Sequence, residues 1–280
     1  MMTLLPTPVP RLPRPSFPIP GTPRPKSASR GAPATILLAG LILTGCATGR
    51  APSAPETPAS SDRGEITKST RWTASSAEHQ AAFHQAYLLA TERLEELAKG
   101  RKPGTWAVVV DADETAIDNV AYQVWLDRSG NHFEAETWRE WVSRRQAPPL
   151  PGVVPFLQRI RELGGTIAIV SNRSERSREA TEENFRRFGI PWDLMLLRTD
   201  ERSKEGRWNA IEEGTASPEW PPLEILMWIG DNIRDFPGGS QSDRVGDAEA
   251  FREFGRRYIV LPNPTYGSWE QNPVSRDFEP

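Results

Sequence analysis

Asp111 and Asp113 are the side chains whose type and spacing point most directly to chemistry. They follow Trp106–Val110, an apolar, β-branched run that predicts a buried strand. In open α/β sheets the carboxyl end of a strand faces the crevice where ligands bind. Two unpaired carboxylates are costly there, so a cation, a proton or dense hydrogen bonding is implied. Phosphoryl transfer uses this arrangement: one carboxylate attacks phosphorus, its neighbour handles the leaving-group proton, and a divalent metal neutralises the cluster.

Further polar side chains occur where other predicted strands end. Ser171 follows one apolar run, and Asp231 and Asp235 follow another. Lys204 lies between them and is the only lysine after Lys102, in a chain whose cations are mostly arginine. An isolated lysine in that setting indicates a need for a compact point charge. In a parallel sheet these groups would line one edge.

The elements that position these residues alternate between strands and helices. Strands are predicted over residues 106–110, 166–170, 193–197, 225–229 and 258–261. The first predicted helix begins at a capping box of Ser75 and Glu78 and runs through Lys99. Four more helices are predicted: one over 136–145, one that begins at Pro151, one that ends at about Phe188, and one over 248–254. This alternation predicts βαβ units and a mostly parallel sheet. The expected fold class is α/β, with a Rossmann-like core and a small helical portion.

Composition excludes several classes of protein. The 280 residues are 37% apolar, and beyond the first 45 they hold 29 basic and 37 acidic residues, a net charge of −8. A nucleic-acid polymer is therefore not an expected partner, because its binding requires a basic surface. The single cysteine, Cys46, rules out an intrachain disulfide and a CxxC zinc site. The three histidines lie outside the segments with catalytic character.

The N-terminal region predicts export. Basic residues up to Arg30 precede a short apolar run over 34–43, as in a secretory signal, and this run is too short for a typical membrane-spanning helix. We assign residues 1–45 to a signal peptide, 46–70 to a flexible Pro/Ser/Ala-rich tether and 71–280 to the catalytic domain. Within that domain, residues 116–148 form a small insertion. Order is expected to begin near Trp72.

The motifs together resemble those of a known family. Asp-Ala-Asp-Glu-Thr at 111–115, Ser-Asn-Arg at 171–173, Lys204 and Gly-Asp-Asn-Ile-Arg-Asp at 230–235 resemble the four motifs of the haloacid dehalogenase-like phosphohydrolases. Residues 136–138, 151–152, 261–264 and 266–270 are more similar to one branch, the class C acid phosphatases of subfamily IIIB, which are lipoproteins and include 5'-nucleotidases. The similarity runs from about Trp72 to Glu270. Leu-Thr-Gly-Cys at 43–46 resembles a bacterial lipobox, which implies lipid attachment at Cys46.

The resemblance implies a role for each matching residue. Asp111 would be the nucleophile and Asp113 the general acid and base. Phosphate would be held by Ser171, Asn172 and Lys204. The cofactor would be Mg²⁺, bound by Asp111, Asp231 and the Asp113 backbone carbonyl, with Asp235 supporting this shell, binding through water, or orienting Lys204. Arg173 is left open between a role at the site and a structural ion pair.

Aromatic residues in loop-like segments predict where the rest of a substrate would bind. Tyr122, Trp125, Tyr266 and Trp269 are candidates for stacking a nucleobase or an aromatic leaving group, with plain packing as the alternative.

By resemblance the expected protein is an acid phosphatase of the bacterial cell envelope, lipid-anchored in the outer membrane, that hydrolyses small phosphomonoesters such as nucleoside monophosphates. The alternatives are a phosphotransferase on the same scaffold and a non-catalytic binding lipoprotein. The expected partners of the phosphatase also include a second copy of the chain, as a homodimer.

Overall fold

The computed structural model describes residues 64–246 and 248–274 of the chain. The predicted signal segment 1–45, Cys46 and most of the predicted tether lie outside these residues. Within them the α-helices are α1 (Lys68–Ser75), α2 (Ala77–Leu97), α3 (Val120–Ser129), α4 (Ala135–Ser143), α5 (Val153–Glu162), α6 (Arg178–Arg187) and α7 (Glu205–Glu213). The strands are β1 (Trp106–Val110), β2 (Thr166–Ser174), β3 (Leu194–Arg198), β4 (Glu224–Gly230) and β5 (Tyr258–Val260).

The five strands form one sheet in the order β3-β2-β1-β4-β5, and every neighbouring pair is parallel. This confirms the predicted α/β fold and the parallel sheet. β1 is the central strand, and the chain runs outward from it first through β2 and β3 and later through β4 and β5. The order therefore reverses between β1 and β4. In open α/β sheets such a switch point is where ligands bind.

The sheet is buried on both faces, which is why its central strands read as continuous apolar runs. All five residues of β1 are buried. On one face β1 packs with apolar side chains of α2, α5 and α6, and on the other with Trp208 and Ile211 of α7. The core thus fixes the carboxyl ends of the strands on a rigid frame, from which the catalytic candidates extend.

The segment that precedes α1 joins the insertion rather than the sheet. The backbone N–H of Gly64 donates to the carbonyl of Arg128 at 2.9 Å. The backbone N–H and the hydroxyl of Thr67 both donate to the Asp127 carboxylate, at 2.8 and 2.9 Å. α1 consequently packs against α3, and the folded region begins earlier than the predicted start near Trp72.

Several predicted boundaries were wrong. Ser76, not Ser75, caps α2, because Ser75 ends α1 and its hydroxyl donates to the Arg71 carbonyl at 2.7 Å. The predicted helix over 248–254 is a short 3-10 turn at Ala248–Phe251. Three helices were not predicted: α1 lies in the predicted tether and the segment after it, and the apolar residues of α3 and α7 do not recur at a helical period. No helix in the described ranges has the length and apolar character needed to cross a membrane.

Candidate active site

Three carboxylates meet at the switch point of the sheet. Asp111 directly follows β1, and Asp231 directly follows β4. Asp235 lies on the 3-10 turn Ile233–Asp235 after β4. Oxygen atoms of Asp111, Asp231 and Asp235 all lie within 4.8 Å of one another. The structure therefore brings together three carboxylates that are 124 positions apart along the chain at their extremes.

Lys204 joins this group from the other side. It is the N-cap residue of α7, and its side chain is buried. Its ammonium group forms ion pairs with Asp111 and, at 2.7 Å, with Asp235. The buried hydroxyl of Ser171, at the β2 edge, accepts a hydrogen bond from the backbone N–H of Arg173 at 3.2 Å. Five predicted positions, Asp111, Ser171, Lys204, Asp231 and Asp235, thus lie at one edge of the sheet.

Burial and mutual repulsion dominate the electrostatics of the cluster. Burial raises the pKa of the Asp111 carboxyl to about 7; the Lys204 charge opposes this rise, and the charges of Asp235 and Asp113 add to it. Burial, followed by the charges of Asp235 and Asp111, raises the pKa of Asp231 well above its usual value. Burial lowers the pKa of Lys204, but Asp111 and Asp235 together hold it above its usual value. One ammonium group does not balance three carboxylates.

The chemistry of the donor set fits a hard divalent cation. Asp231 accepts a hydrogen bond from the Asn263 amide at 2.8 Å, and the Thr115 hydroxyl lies 3.4 Å from its other oxygen. These contacts orient the Asp231 carboxylate toward Asp111. Oxygen ligands of this kind suit Mg²⁺, and a cation would relieve the repulsion that raises the carboxyl pKa values. Asp111 and Asp231 are the side chains that would hold it.

Asp113 faces a separate set of partners. Its carboxylate accepts hydrogen bonds from the Asn119 amide at 2.9 Å and from Arg173 Nε at 2.9 and 3.1 Å, and Arg173 Nη2 forms an ion pair with it at 2.8 Å. Arg173 therefore forms an ion pair, and because its partner Asp113 is a predicted site residue, the two alternatives that the sequence left open coincide.

Glu114 is a member of the site whose importance the sequence did not reveal. It is buried, with a positive φ of 52° that is uncommon for a residue other than glycine. Its carboxyl group accepts hydrogen bonds from the Asn119 backbone at 2.9 Å and from the Tyr266 hydroxyl. Burial, followed by the charges of Asp113 and Asp231, raises the pKa of Glu114 well above its usual value. The Tyr266 contact ties the C-terminal loop to the loop after β1.

Asn172 is exposed, and its side-chain oxygen accepts a hydrogen bond from Arg207 at 2.8 Å. Its backbone carbonyl accepts from Arg198 at 3.2 Å. β2 continues through Ser171–Arg173, so Ser171 lies in the strand and does not cap a helix. Phosphate binding by Asn172 and Ser171 stays a prediction.

The four aromatic candidates lie in two places, and the predicted loop that carries Tyr122 and Trp125 is wrong, because both lie in helix α3. Tyr122 is buried; its ring packs against Trp125, Phe133 and Trp138, and its hydroxyl hydrogen-bonds Thr137 at 2.8 Å. Trp125 is half exposed within the same group. Tyr266 and Trp269 belong to the C-terminal loop, where Trp269 is half exposed. Substrate stacking by any of these rings stays a prediction.

Sequence and structure comparisons agree with this geometry. The family model of HAD superfamily, subfamily IIIB (acid phosphatase) matches residues 51–269. The fold is similar to the structure of the class C acid phosphatase from Bacillus anthracis, with a TM-score of 0.65 and 30% identity over 72% of this chain and 85% of that one. A second structure of that protein, with tungstate bound, gives the same TM-score at 31% identity.

Curated plant proteins are similar over a shorter stretch. Acid phosphatase 1 of Solanum lycopersicum is 28% identical over 160 residues, and the stem 28 kDa glycoprotein of Glycine max is 26% identical over 162 residues. Each match covers 56% of this chain, and it spans 57% and 58% of the two relatives, less than two thirds of their length. The resemblance seen in the motifs is confirmed over most of the described residues. The chain belongs to the acid phosphatase family, subfamily IIIB of the HAD superfamily.

Proposed function

We propose that this protein is a Mg²⁺-dependent phosphomonoesterase that hydrolyses small phosphate esters through an aspartyl-phosphate on Asp111. The observation that carries the proposal is the contact of Asp111 with Lys204 at the switch point, within 4.8 Å of the Asp231 and Asp235 carboxylates. A nucleophilic carboxylate beside a fixed ammonium group can accept an anionic phosphate, because the ammonium offsets the repulsion between them.

The residues around Asp111 divide the reaction between them. An Asp111 oxygen forms a bond to phosphorus while the bond between phosphorus and the ester oxygen breaks. Asp113 gives its proton to the departing oxygen and then takes a proton from the water that attacks the aspartyl-phosphate. That second attack releases inorganic phosphate and restores the Asp111 carboxylate. Lys204 and Ser171 would hold the phosphoryl oxygens during both steps.

Asp111, Asp231 and the backbone carbonyl of Asp113 would hold the metal. When bound, Mg²⁺ supplies positive charge that stabilises the phosphoryl oxygens and the clustered carboxylates. Asp235 would support the site by holding Lys204, since it forms an ion pair with Lys204 and accepts a hydrogen bond from the Asn232 backbone N–H at 3.0 Å.

The substrates we propose are nucleoside monophosphates outside the cytoplasm. Aromatic rings occur in two segments near the site, Tyr122 and Trp125 in helix α3 of the insertion and Tyr266 and Trp269 in the C-terminal loop, and stacking on such rings suits a nucleobase. The sequence features at residues 1–46 support export and a lipid anchor on Cys46, and the outer membrane is the proposed location. Removal of phosphate outside the cytoplasm would leave a nucleoside fit for import.

A phosphate-release panel tests the proposal. The substrates are nucleoside 5'-monophosphates, sugar phosphates and 4-nitrophenyl phosphate, each assayed with Mg²⁺ and with EDTA. Release is expected only with Mg²⁺, and it should be highest on the nucleotides. Asp111→Asn should be inactive on every substrate, whereas Asp200→Asn, at an exposed aspartate just after β3, should match the wild type. Turnover in Asp111→Asn would contradict the assigned nucleophile.

A further inference from the structure

We propose that Asn119 and Arg173, held in place by Trp138 and Trp141 of helix α4, form a clamp that positions one oxygen of Asp113 for proton transfer. This inference rests on the proposed function, because it concerns the residue that protonates the leaving group. Helix α4 of the insertion would then determine the orientation of the Asp113 side chain. Asn119, Arg173, Trp138 and Trp141 are positioning residues, since each acts through Asp113 or through another member of the clamp.

The contacts of Asp113 are unequal between its two oxygens. Oδ1 accepts hydrogen bonds from the Asn119 amide and from Arg173 Nε, both at 2.9 Å, and Arg173 Nη2 lies 2.8 Å from it in the ion pair. Within the described part of the chain, Oδ2 accepts only from Arg173 Nε, at 3.1 Å. Two hydrogen bonds and the Nη2 ion-pair contact surround Oδ1, so a proton on that oxygen would point at N–H groups. Oδ2 is therefore the atom that carries the transferred proton.

Arg173 is itself rigidly held. Its side chain is 2% exposed, against 17% for Asp113. Another guanidinium nitrogen donates to the Thr181 hydroxyl at 3.2 Å, and the guanidinium carbon lies 5.6 Å from the centre of the Trp138 ring. A planar guanidinium fixed by packing and by several partners has little freedom to rotate, so it holds the carboxylate plane of Asp113 in one orientation.

Asn119 supplies the second support, and its orientation is determined by its neighbours. It is fully buried, and its side-chain oxygen accepts from the Trp141 indole N–H at 2.8 Å and from Arg173 at 3.3 Å. Because two donors occupy the oxygen side of the amide, the NH₂ group must face Asp113. Without the Trp141 N–H one of the two constraints on this orientation is lost.

Helix α4 therefore reaches Asp113 by two routes. Trp138 and Trp141 are three positions apart, so they lie on the same side of the helix. Trp138 packs over Arg173, and Trp141 donates to Asn119. Both routes end on the same carboxylate. A shift of α4 would thus change the direction of the proton donor while leaving Asp111 and Lys204 on the sheet frame.

The rate of hydrolysis depends on the proton donor for some substrates more than for others. An alkoxide is a poor leaving group and needs a proton as it departs, whereas 4-nitrophenolate departs without one. The ratio of kcat/KM for an alkyl phosphate to that for 4-nitrophenyl phosphate therefore measures proton donation by Asp113. Loss of overall structure lowers both values together and leaves this ratio unchanged.

The test compares Trp141→Phe and Arg173→Lys with the wild type on a nucleoside 5'-monophosphate and on 4-nitrophenyl phosphate. Asp113→Asn gives the reference effect, a fall in the ratio on the order of 10²–10⁴-fold. We expect the ratio to fall about tenfold in Trp141→Phe. In Arg173→Lys it should fall further, because lysine keeps the positive charge but lacks the planar guanidinium with its several N–H donors. The matched controls are Trp192→Phe, a half-buried indole packed on Phe185, and Arg176→Lys, an exposed arginine near the same strand end.

The outcomes separate the two proposals. An unchanged ratio in a folded Trp141→Phe protein, or an equal fall on both substrates, overturns the clamp while the phosphatase assignment stands. If Arg173→Lys does not fold, as judged by its melting temperature, Trp141→Phe alone decides. A wild-type protein that releases phosphate from neither substrate with Mg²⁺ present overturns the proposed function, and the clamp falls with it.

Discussion

The ammonium group of Lys204 lies 2.7 Å from the Asp235 carboxylate, and both side chains are buried. Lys204 also pairs with Asp111, so a single cation bridges a side chain after β1 and a side chain after β4. This bridge crosses the switch point of the sheet. Asp235 consequently fixes the position from which Lys204 meets the nucleophile, which favours the supporting role for Asp235 over direct metal binding.

Lys204→Met should reduce both activity and stability. The change leaves two buried carboxylates without their cation, and the loss of one partner from a buried pair costs about 3–5 kcal/mol. Urea unfolding at neutral pH without metal measures this difference. Lys102→Met, at an exposed position, is the control and should unfold like the wild type. A loss below about 1 kcal/mol would show that the bridge contributes little beyond a surface ion pair.

Mg²⁺ should raise the melting temperature, and the gain should grow with pH. The pKa of Asp111 is raised to about 7 in the folded metal-free protein, above its value of about 3.9 in the unfolded chain. The folded state binds the extra proton between these values, so this contribution is present at about pH 4 and is lost as the pH rises to about 7. Mg²⁺ replaces the missing positive charge over the same range.

Thermal unfolding with Mg²⁺ and with EDTA, from about pH 4 to pH 7, checks this linkage. The metal-dependent gain should disappear in Asp231→Asn, which lacks one of the proposed ligands. A gain that is equal at both ends of the pH range would contradict the coupling between the metal and the Asp111 proton.

Tyr266→Phe should destabilise the protein by about 1–3 kcal/mol, because the buried Glu114 carboxyl loses a hydrogen-bond partner that water does not readily replace. Chemical denaturation measures the change. Tyr258→Phe is the matched control: the ring of this β5 residue packs against Trp228 and Phe236, and we expect a change below about 0.5 kcal/mol. Equal effects of the two substitutions would argue against a specific role for the Glu114 contact.

Gly230→Ala should lower phosphatase activity about tenfold or more. A methyl group at Gly230 would overlap the Asp235 side chain, so Asp235 and the Lys204 paired with it must move. A displacement of about 1 Å at a positioned group costs on the order of 10²-fold in rate. Gly206→Ala in α7 is the control, since a methyl group there meets nothing nearer than 4.0 Å. Near wild-type kcat for Gly230→Ala would contradict the proposed role of this close approach.

The site residues that could be predicted from the sequence are those that follow the strands of the sheet. Long apolar runs identified all five strands, and the residues just after them identified Asp111, Ser171 and Asp231. Parallel pairing then required these groups to share one edge. Lys204 was predicted because it is an isolated lysine in an arginine-rich chain and because it matches the family motif. Helix α7, which positions Lys204, was not predicted.

The supports of the site could not be predicted in the same way. Asn119, Asn263 and Glu114 act through partners that are far away in the sequence, such as Trp141, Asp231 and Tyr266. No local period or spacing encodes these pairings, because they depend on how loops close after the sheet has formed. For Glu114, the signal that was available is its place directly beside Asp113, where a third acidic group needs a compensating partner.

The way the chain enters the folded region has a mechanical consequence. Gly64 and Thr67 are bonded to the last turn of α3, whose first turn follows Asn119. A pull on the polypeptide upstream of Gly64 would be borne by this helix and would bypass the sheet. Wherever the preceding segment is attached, tension along it would act through α3 on Asn119, and so on the proton donor Asp113, before it reached the nucleophile at the end of β1.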